Sequence, residues 1–167
     1  MSSNVRVTVD KTDDLMRALK ALVKNDVLVG IPAENAAREP SPDDENPPNN
    51  AMIGYLNEFG SPEKNIPARP FLVPGVASKQ EEYSKILKKA AQDALSGNLQ
   101  AVEKAQHAVG LIAANAVHAK IADGPFAPLA PATLERRKAK GHMADKPLIE
   151  TGALNASVKY VIRERGK

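Results

Sequence analysis

Residues 75–122 constrain the fold more than any other part of this sequence, because a helical pattern runs through them with a single break. Apolar residues recur every three or four positions in 75–96 and again in 99–122, and the turn-forming residues Ser96-Gly97-Asn98 separate the two runs. The pattern predicts two long antiparallel helices. Small residues that suit close helix packing form the expected seam of the second helix: Val102, Ala105, Val109, Ile112, Ala116 and Ala119.

Short alternating segments predict a small β-sheet beside this hairpin. Strands are expected at residues 5–9, 27–31 and 158–163, and an amphipathic helix at 12–24. The chain has 167 residues, which suits one domain. We therefore expect a single α+β domain over 1–167, with a small mixed or antiparallel sheet of three or more strands packed on a long helical hairpin. The expected apolar stripe of the first helix is Leu15, Met16, Leu19, Leu22 and Val23.

Residues 33–50 differ in composition from the rest of the chain. They contain four prolines and five acidic residues, with almost no side chain suited to a core. We predict a flexible, acidic, proline-rich loop that becomes ordered on assembly, and we interpret Asp43, Asp44 and Glu45 as solvated charge. Shorter helices are expected at three further places: 51–59, where Gly60 ends the helix, 132–140, and 153–156.

The residues that usually perform chemistry are sparse. The chain has no cysteine, which excludes disulfides, thiol catalysis and sulfur-ligated zinc. His107 and His118 are eleven residues apart, about 16 Å along one helix, which is too far to share a metal ion. Glu103 with His107 is interpreted as an ordinary helix-surface contact, and His142 as a loop residue. We expect no enzymatic activity, no metal and no cofactor.

We expect neither a signal peptide nor a membrane-spanning segment in this sequence. The first residues lack the basic start and apolar run of a signal peptide, and no window approaches 18 consecutive apolar residues. We therefore expect synthesis in the cytoplasm and no membrane partner.

A basic segment at 134–146 supports an alternative function. It could contact DNA phosphates without sequence preference, or it could be an ordinary solvated helix face. The net charge of +3 and the 4% aromatic content are low for a dedicated nucleic-acid binder. The candidate DNA-facing residues are Arg136, Arg137, Lys138 and Lys140, with Lys146 nearby.

Two motifs, read in order, carry a family resemblance. The first is N-E-F-G-S-P at 57–62 followed by I-P-A-R-P-F-L at 66–72. The second is F-A-P-L-A-P-A-T at 126–133 followed by K-P-L-I-E-T-G-A-L at 146–154 and Ser157. Over about residues 51–162 this order resembles the bacteriophage tail-completion and virion-morphogenesis proteins, which include tail terminators and head–tail joining proteins. Phe126 stands where a tryptophan is expected in that pattern.

The resemblance implies a structural virion protein that completes the tail or joins it to the head. It implies a ring, typically of six copies, and contacts with the tail tube protein and with head–tail connector or neck proteins. It also implies a location in the virion tail or neck, reached from the host bacterial cytoplasm during assembly. Nonspecific contact with genomic DNA, through the basic segment 134–146, is a further option. The candidate interface residues are Glu58, Phe59, Arg69, Phe71, Leu72, Thr151 and Leu154.

The first motif also has a physical interpretation of its own. Pro67 and Pro70 keep the intervening residues extended, because a residue before proline avoids the helical region. Arg69 on this stiff arm could pair with a carboxylate of a neighbouring subunit, or the arm could be a packing staple within one domain. Phe71 and Leu72 would anchor it by burial worth about 2 kcal/mol each. Thr151-Gly152 is expected to cap the short helix that follows.

Overall fold

The described part of the chain is mainly helical. A computed structural model describes residues 12–38, 40, 45–143 and 145–166. The strand predicted at residues 5–9 lies outside these ranges. The described elements, in chain order, are α1 (Thr12–Lys24), β1 (Asn25–Gly30), α2 (Ala33–Ala36), α3 (Asn50–Phe59), α4 (Leu72–Ala77), α5 (Gln80–Leu95), α6 (Gln100–Asp123), α7 (Pro131–Ala139), α8 (Ala153–Ser157) and β2 (Lys159–Glu164), with a 3₁₀ turn at Pro62–Lys64.

The sheet joins the two ends of the described chain. β1 pairs with β2 in antiparallel register, from Asn25 opposite Glu164 to Gly30 opposite Lys159. The side chain of Arg165 extends the pairing beyond the strand end, because its Nη2 donates to Asp26 Oδ1 at 2.7 Å. An antiparallel two-stranded sheet packed against helices confirms the predicted α+β class.

Helix α6 is the central element of the structure. It packs against α5, α4 and both strands. Near its C-terminal end, Val117 and Ile121 join the larger core cluster with Phe71. Near its N-terminal end, Val102 packs in a smaller cluster with Ala18 of α1. Val102 and Val117 are fifteen residues apart, so the two clusters are separated by about 22 Å along the helix.

A glycine allows the sheet to lie close against α6. Gly110 faces the ring of Tyr160 on β2, and a Cβ at this position would come within 2.3 Å of the ring. The close approach therefore needs a residue without a side chain, although glycine in a helix interior costs about 1 kcal/mol relative to alanine.

The predicted hairpin is present, but its first helix is divided. Residues 75–96 were expected as one helix, whereas α4 ends at Ala77 and α5 begins at Gln80. The Ser78 hydroxyl donates to the Gly75 carbonyl at 2.6 Å, and Lys79 has a φ of −118°, outside the helical range. Local hydrogen bonding at Ser78 thus accompanies a break that periodicity did not show.

The buried faces of two helices also differ from the prediction. In α6 the predicted seam holds at Val102, Ala105 and Val109. Farther along, burial moves to Ala113 and Val117, because several elements surround the helix. In α1 the fully buried residue is Ala18, while four of the five residues in the predicted stripe are exposed: Leu15, Met16, Leu19 and Val23.

The remaining predictions of elements are close to the structure. Helices expected at 51–59, 132–140 and 153–156 correspond to α3, α7 and α8, with ends displaced by one residue. Within the expected loop at 33–50, residues Ala33–Ala36 form the short helix α2, in which Ala36 is buried. Within the described residues, no helix combines the length and the apolar character needed to cross a bilayer.

Candidate functional site

Glu58 organises the first motif around its carboxylate. Oε2 accepts hydrogen bonds from the backbone N–H groups of Phe71 and Leu72 at 2.7 and 2.8 Å, and Oε1 accepts from Val73 at 3.0 Å. Glu58 is 7% exposed. A carboxylate at this position satisfies the first N–H groups of α4 and interacts favourably with the positive end of the helix. The motif thus forms a cap contributed by a distant residue.

Arg69 connects the first motif to the loop that begins the second. Its Nε donates to the Ala127 carbonyl at 2.8 Å, and its Nη2 donates to the Pro128 carbonyl at 2.9 Å. The Arg69 backbone N–H also donates to the Asn57 carbonyl. The structure therefore has the packing staple within one subunit, and the bonds seen at Arg69 go to carbonyl oxygens.

Arg137 connects helix α7 to the segment at 146–149, which belongs to the second motif. Its Nη1 donates to the carbonyls of Lys146 and Ile149 at 2.9 and 3.0 Å, and its Nη2 donates to that of Pro147 at 3.1 Å. Glu150 Oε2 lies 3.5 Å from Arg137 Nε. One buried guanidinium therefore fixes the turn that carries the P-L-I-E-T-G sequence.

The two motifs meet at a cleft, which we call the arginine cleft. It has a volume of about 290 Å³ and is lined by residues of both motifs, with Arg38 joining from the segment after α2. Burial, and secondly the positive charge of Arg137, lower the pKa of Arg69 below its ordinary value. The guanidinium remains charged at any physiological pH, so the cleft concentrates positive charge.

A second concave surface, the apolar groove, lies where α3 meets α4. Its volume is about 210 Å³, and Tyr55, Phe59, Phe71, Leu72 and Val73 form much of its wall. Tyr55, Phe59 and Val73 are 61% to 63% exposed, and the rings of Tyr55 and Phe59 lie 4.9 Å apart. Exposed aromatic residues grouped around a groove are typical of an interaction surface.

A third apolar surface lies on α1, at the other end of the molecule. The α1 face consists of Leu15, Met16, Leu19 and Val23, which are 45% to 56% exposed. Leu15, Leu19 and Val23 follow one another at i, i+4 and i+8, so they form a ridge along the helix. Ala18 packs in the cluster at the N-terminal end of α6, whereas the groove adjoins Phe71 near the C-terminal end.

The predicted interface residues divide into interior and surface positions. Glu58, Arg69, Phe71 and Leu154 are buried within the subunit, and Leu72 is half-buried. Phe59 and Thr151 are exposed, and the Thr151 hydroxyl accepts from the Ala153 N–H at 3.3 Å, while the N-cap position of α8 belongs to Gly152. Although buried, Glu58 and Phe71 line the apolar groove, and Arg69 and Leu154 line the arginine cleft, so direct contact of these four residues with a partner stays a prediction.

The predicted DNA-facing residues also divide. Arg136, Lys138 and Lys140 are exposed on α7, whereas Arg137 is 5% exposed and faces the interior. The side chain of Lys146 is engaged within the subunit, because its Nζ donates to the Ala122 carbonyl and lies 3.5 Å from Asp123 Oδ1. The basic segment is therefore not one continuous cationic face.

The histidines take part in pairwise contacts. His107 Nδ1 lies 3.2 Å from the Tyr160 hydroxyl, and His118 Nδ1 lies 2.7 Å from Asn155 Oδ1. Among the described residues, no group of three or more metal-ligating side chains comes together.

Several residues of these surfaces were missed by the sequence predictions. Tyr55 lies one turn before Phe59 on α3, and Val73 directly follows the first motif, so extending that motif by helical periodicity would have found both. No local sequence pattern indicated that Arg38 would line the cleft, because it lies in the segment predicted as a loop.

No family model matches the chain, and no solved structure matches it. An uncharacterised protein of the archaeon Methanocaldococcus jannaschii is 46% identical over 41 residues, which are 25% of this chain and 30% of that protein. The similarity thus covers less than a third of the archaeal protein.

Proposed function

We propose that this chain is a structural protein of a tailed bacteriophage that assembles into a ring, completing the tail or joining it to the head. The observation that carries the proposal is the apolar groove, where Tyr55, Phe59 and Val73 stand exposed beside a motif that resembles those of virion-morphogenesis proteins. Such a surface loses unfavourable contact with water when another protein covers it.

The α1 face supports a ring in particular. The groove and the α1 face are different surfaces, located near opposite ends of α6. When one copy uses the groove and the next copy uses the α1 face, the contact is heterologous and can repeat. A repeating heterologous contact that closes on itself produces a ring.

The row of side chains on α1 and the row on α3 that borders the apolar groove have the same length. Leu15, Leu19 and Val23 span eight residues of helix, as do Ala51, Tyr55 and Phe59 along α3. Each row is about 12 Å long. Rows at i, i+4 and i+8 are the ridges that interdigitate in the commonest class of helix packing.

The test uses two variants that each damage one surface. Leu19→Glu removes the α1 face and keeps the groove, whereas Tyr55→Glu removes the groove and keeps the α1 face. Both residues are exposed, so folding should be retained. We expect the unaltered protein to form a closed oligomer by light scattering, each variant alone to be monomeric, and an equimolar mixture of the two to form dimers.

The control is Met143→Glu, which introduces the same charge at an apolar residue that is 81% exposed and belongs to neither surface. This variant should assemble like the unaltered protein. Assembly of both surface variants, or a mixture that stays monomeric, would contradict the heterologous ring.

The virion role needs a separate experiment. Interrupting the gene in its source genome should yield unjoined heads and tails or tails of abnormal length, seen by electron microscopy. Normal infectious particles would exclude the phage role even if the purified protein forms rings.

The alternative is nonspecific DNA binding through Arg136, Lys138 and Lys140, which stay exposed on α7. It predicts that affinity for duplex DNA falls steeply with salt and that Arg136→Ala weakens binding to all sequences alike. Assembly through apolar surfaces should instead persist as salt is raised, so a salt series separates the two functions.

A further inference from the structure

The arginine cleft has the composition of a ligand site. Among the described residues, three arginines and one glutamate line it, namely Arg38, Arg69, Arg137 and Glu150, which leaves an excess of two positive charges in that set. The remaining wall is largely aliphatic and includes Ile53, Leu56 and Leu148. Small-molecule sites typically combine a mostly apolar wall with a few convergent polar groups in this way.

Arg69 supplies an unused donor in this setting. It is 6% exposed, and its Nε and Nη2 donate to backbone carbonyls. Among the described residues, none accepts a hydrogen bond from Arg69 Nη1. Burial, and secondly the charge of Arg137, lower the pKa of Arg69, and an anion in the cleft would interact favourably with its guanidinium.

The volume limits the ligand. About 290 Å³ lies at the lower end of the range for ligand pockets, so the cleft suits a small molecule or a single side chain. A free inorganic anion would use the arginines but leave the aliphatic wall in contact with water. An acid with a hydrocarbon body would use both.

We propose that the arginine cleft binds a carboxylic acid with a short aliphatic body, the carboxylate paired with Arg38 and Arg69 and the hydrocarbon against Ile53, Leu56 and Leu148. Such a group could belong to a free acid or to a peptide. This binding is independent of the ring proposal, because the cleft and the apolar groove are separate concavities.

The test uses hexanoate as the probe and titration calorimetry as the measurement. Hexanamide has the same body without the charge, and inorganic phosphate has charge without the body. We expect hexanoate to bind at millimolar concentration and about tenfold more tightly than hexanamide, since hydrogen bonds to charged groups are the stronger ones. Phosphate should compete poorly.

Two variants should move the affinity in opposite directions. Arg38→Ala removes a positive charge from a half-exposed residue and should weaken hexanoate binding about fivefold. Glu150→Gln removes an acidic group from the cleft, the single one among its described lining residues, and should strengthen binding by a similar factor, about fivefold. A variant that merely unfolds the protein cannot tighten binding, so Glu150→Gln keeps the test decisive.

Arg136→Ala is the matched control, because it removes one exposed positive charge on α7 without altering the cleft lining. It should leave the affinity unchanged. Equal binding of hexanoate and hexanamide, equal competition by phosphate, or no hexanoate binding at millimolar concentration would overturn the proposal. A peptide ending in leucine that displaces hexanoate would identify a peptide source, and failure to displace it would identify a free acid.

Discussion

At the scale of single residues, three charged side chains shape the two motifs by bonding to backbone groups, and one of them, Arg69, connects the first motif to the second. Glu58 accepts from three N–H groups, while Arg69 and Arg137 donate to five carbonyl oxygens between them. A buried charge is costly unless hydrogen bonds surround it, and these bonds offset part of that cost. The same bonds give irregular segments a defined shape without regular secondary structure.

Replacement of Glu58 by glutamine should destabilise the fold by about 2 kcal/mol, because the amide offers one acceptor oxygen where the carboxylate offers two, and it lacks the charge. Urea unfolding followed by circular dichroism provides the measurement. Glu81→Gln is the control, since Glu81 also lies in a first helical turn but is exposed. It should cost less than about 1 kcal/mol. Equal losses would show that the three hydrogen bonds contribute nothing beyond the effect of the helix dipole.

Arg137 and Arg136 are adjacent and provide a second comparison. Arg137→Lys keeps the charge but loses the forked geometry that reaches three carbonyls, so we expect a loss of about 3 kcal/mol. Arg136→Lys changes an exposed residue and should stay within about 0.5 kcal/mol. Comparable midpoints of urea unfolding for the two variants would be inconsistent with a buried structural role for Arg137.

At the scale of elements, α6 determines the arrangement of the others. Elements that pack on it have to accommodate its small residues, and the approach of β2 depends on Gly110. A helix surrounded by neighbours has little preference for one apolar stripe, which explains why the predicted seam describes only part of its buried surface.

Gly110→Ala should destabilise the protein although alanine favours the helix. The gain in helix propensity is about 1 kcal/mol, whereas overpacking against Tyr160 costs about 1–3 kcal/mol. In a Tyr160→Ala background the clash is gone, so the same substitution should become stabilising by up to about 1 kcal/mol. Thermal unfolding of the unaltered protein, the two single variants and the double variant measures the change in stability caused by Gly110→Ala in each background. A stabilising effect in the unaltered background would mean that the ring of Tyr160 moves away at negligible cost.

At the scale of the whole molecule, two apolar surfaces remain exposed at opposite ends of the central helix. The arrangement suits repeated contact between copies.

The lack of cysteine makes this geometry directly testable. Leu19→Cys and Phe59→Cys, prepared separately and mixed under oxidising conditions, should form a mixed disulfide dimer faster than either forms a dimer with itself. Mass spectrometry of the cross-linked species gives the result. Preferential self-linking of Leu19→Cys would indicate a two-fold contact between α1 helices and would exclude the ring arrangement proposed above.

Local sequence alone determined the helices, the antiparallel hairpin, the α+β class and the two motifs. These features depend on periodicity and on turn residues within a few positions of each other, for example Gly60 at the end of α3 and Gly97 between α5 and α6. The periodicity did not predict the break at Ser78, where one expected helix is divided into α4 and α5.

Only the tertiary structure decided which way these elements face. It placed Arg137 inside and Arg136 outside, turned the apolar face of α1 to the surface, and brought Arg69 to Ala127, 58 residues away in the sequence. Such pairings depend on which distant segments come together in space, and a local sequence pattern does not specify these contacts. The arginine cleft and the apolar groove are therefore products of packing, although the residues that line them were visible in the sequence from the start.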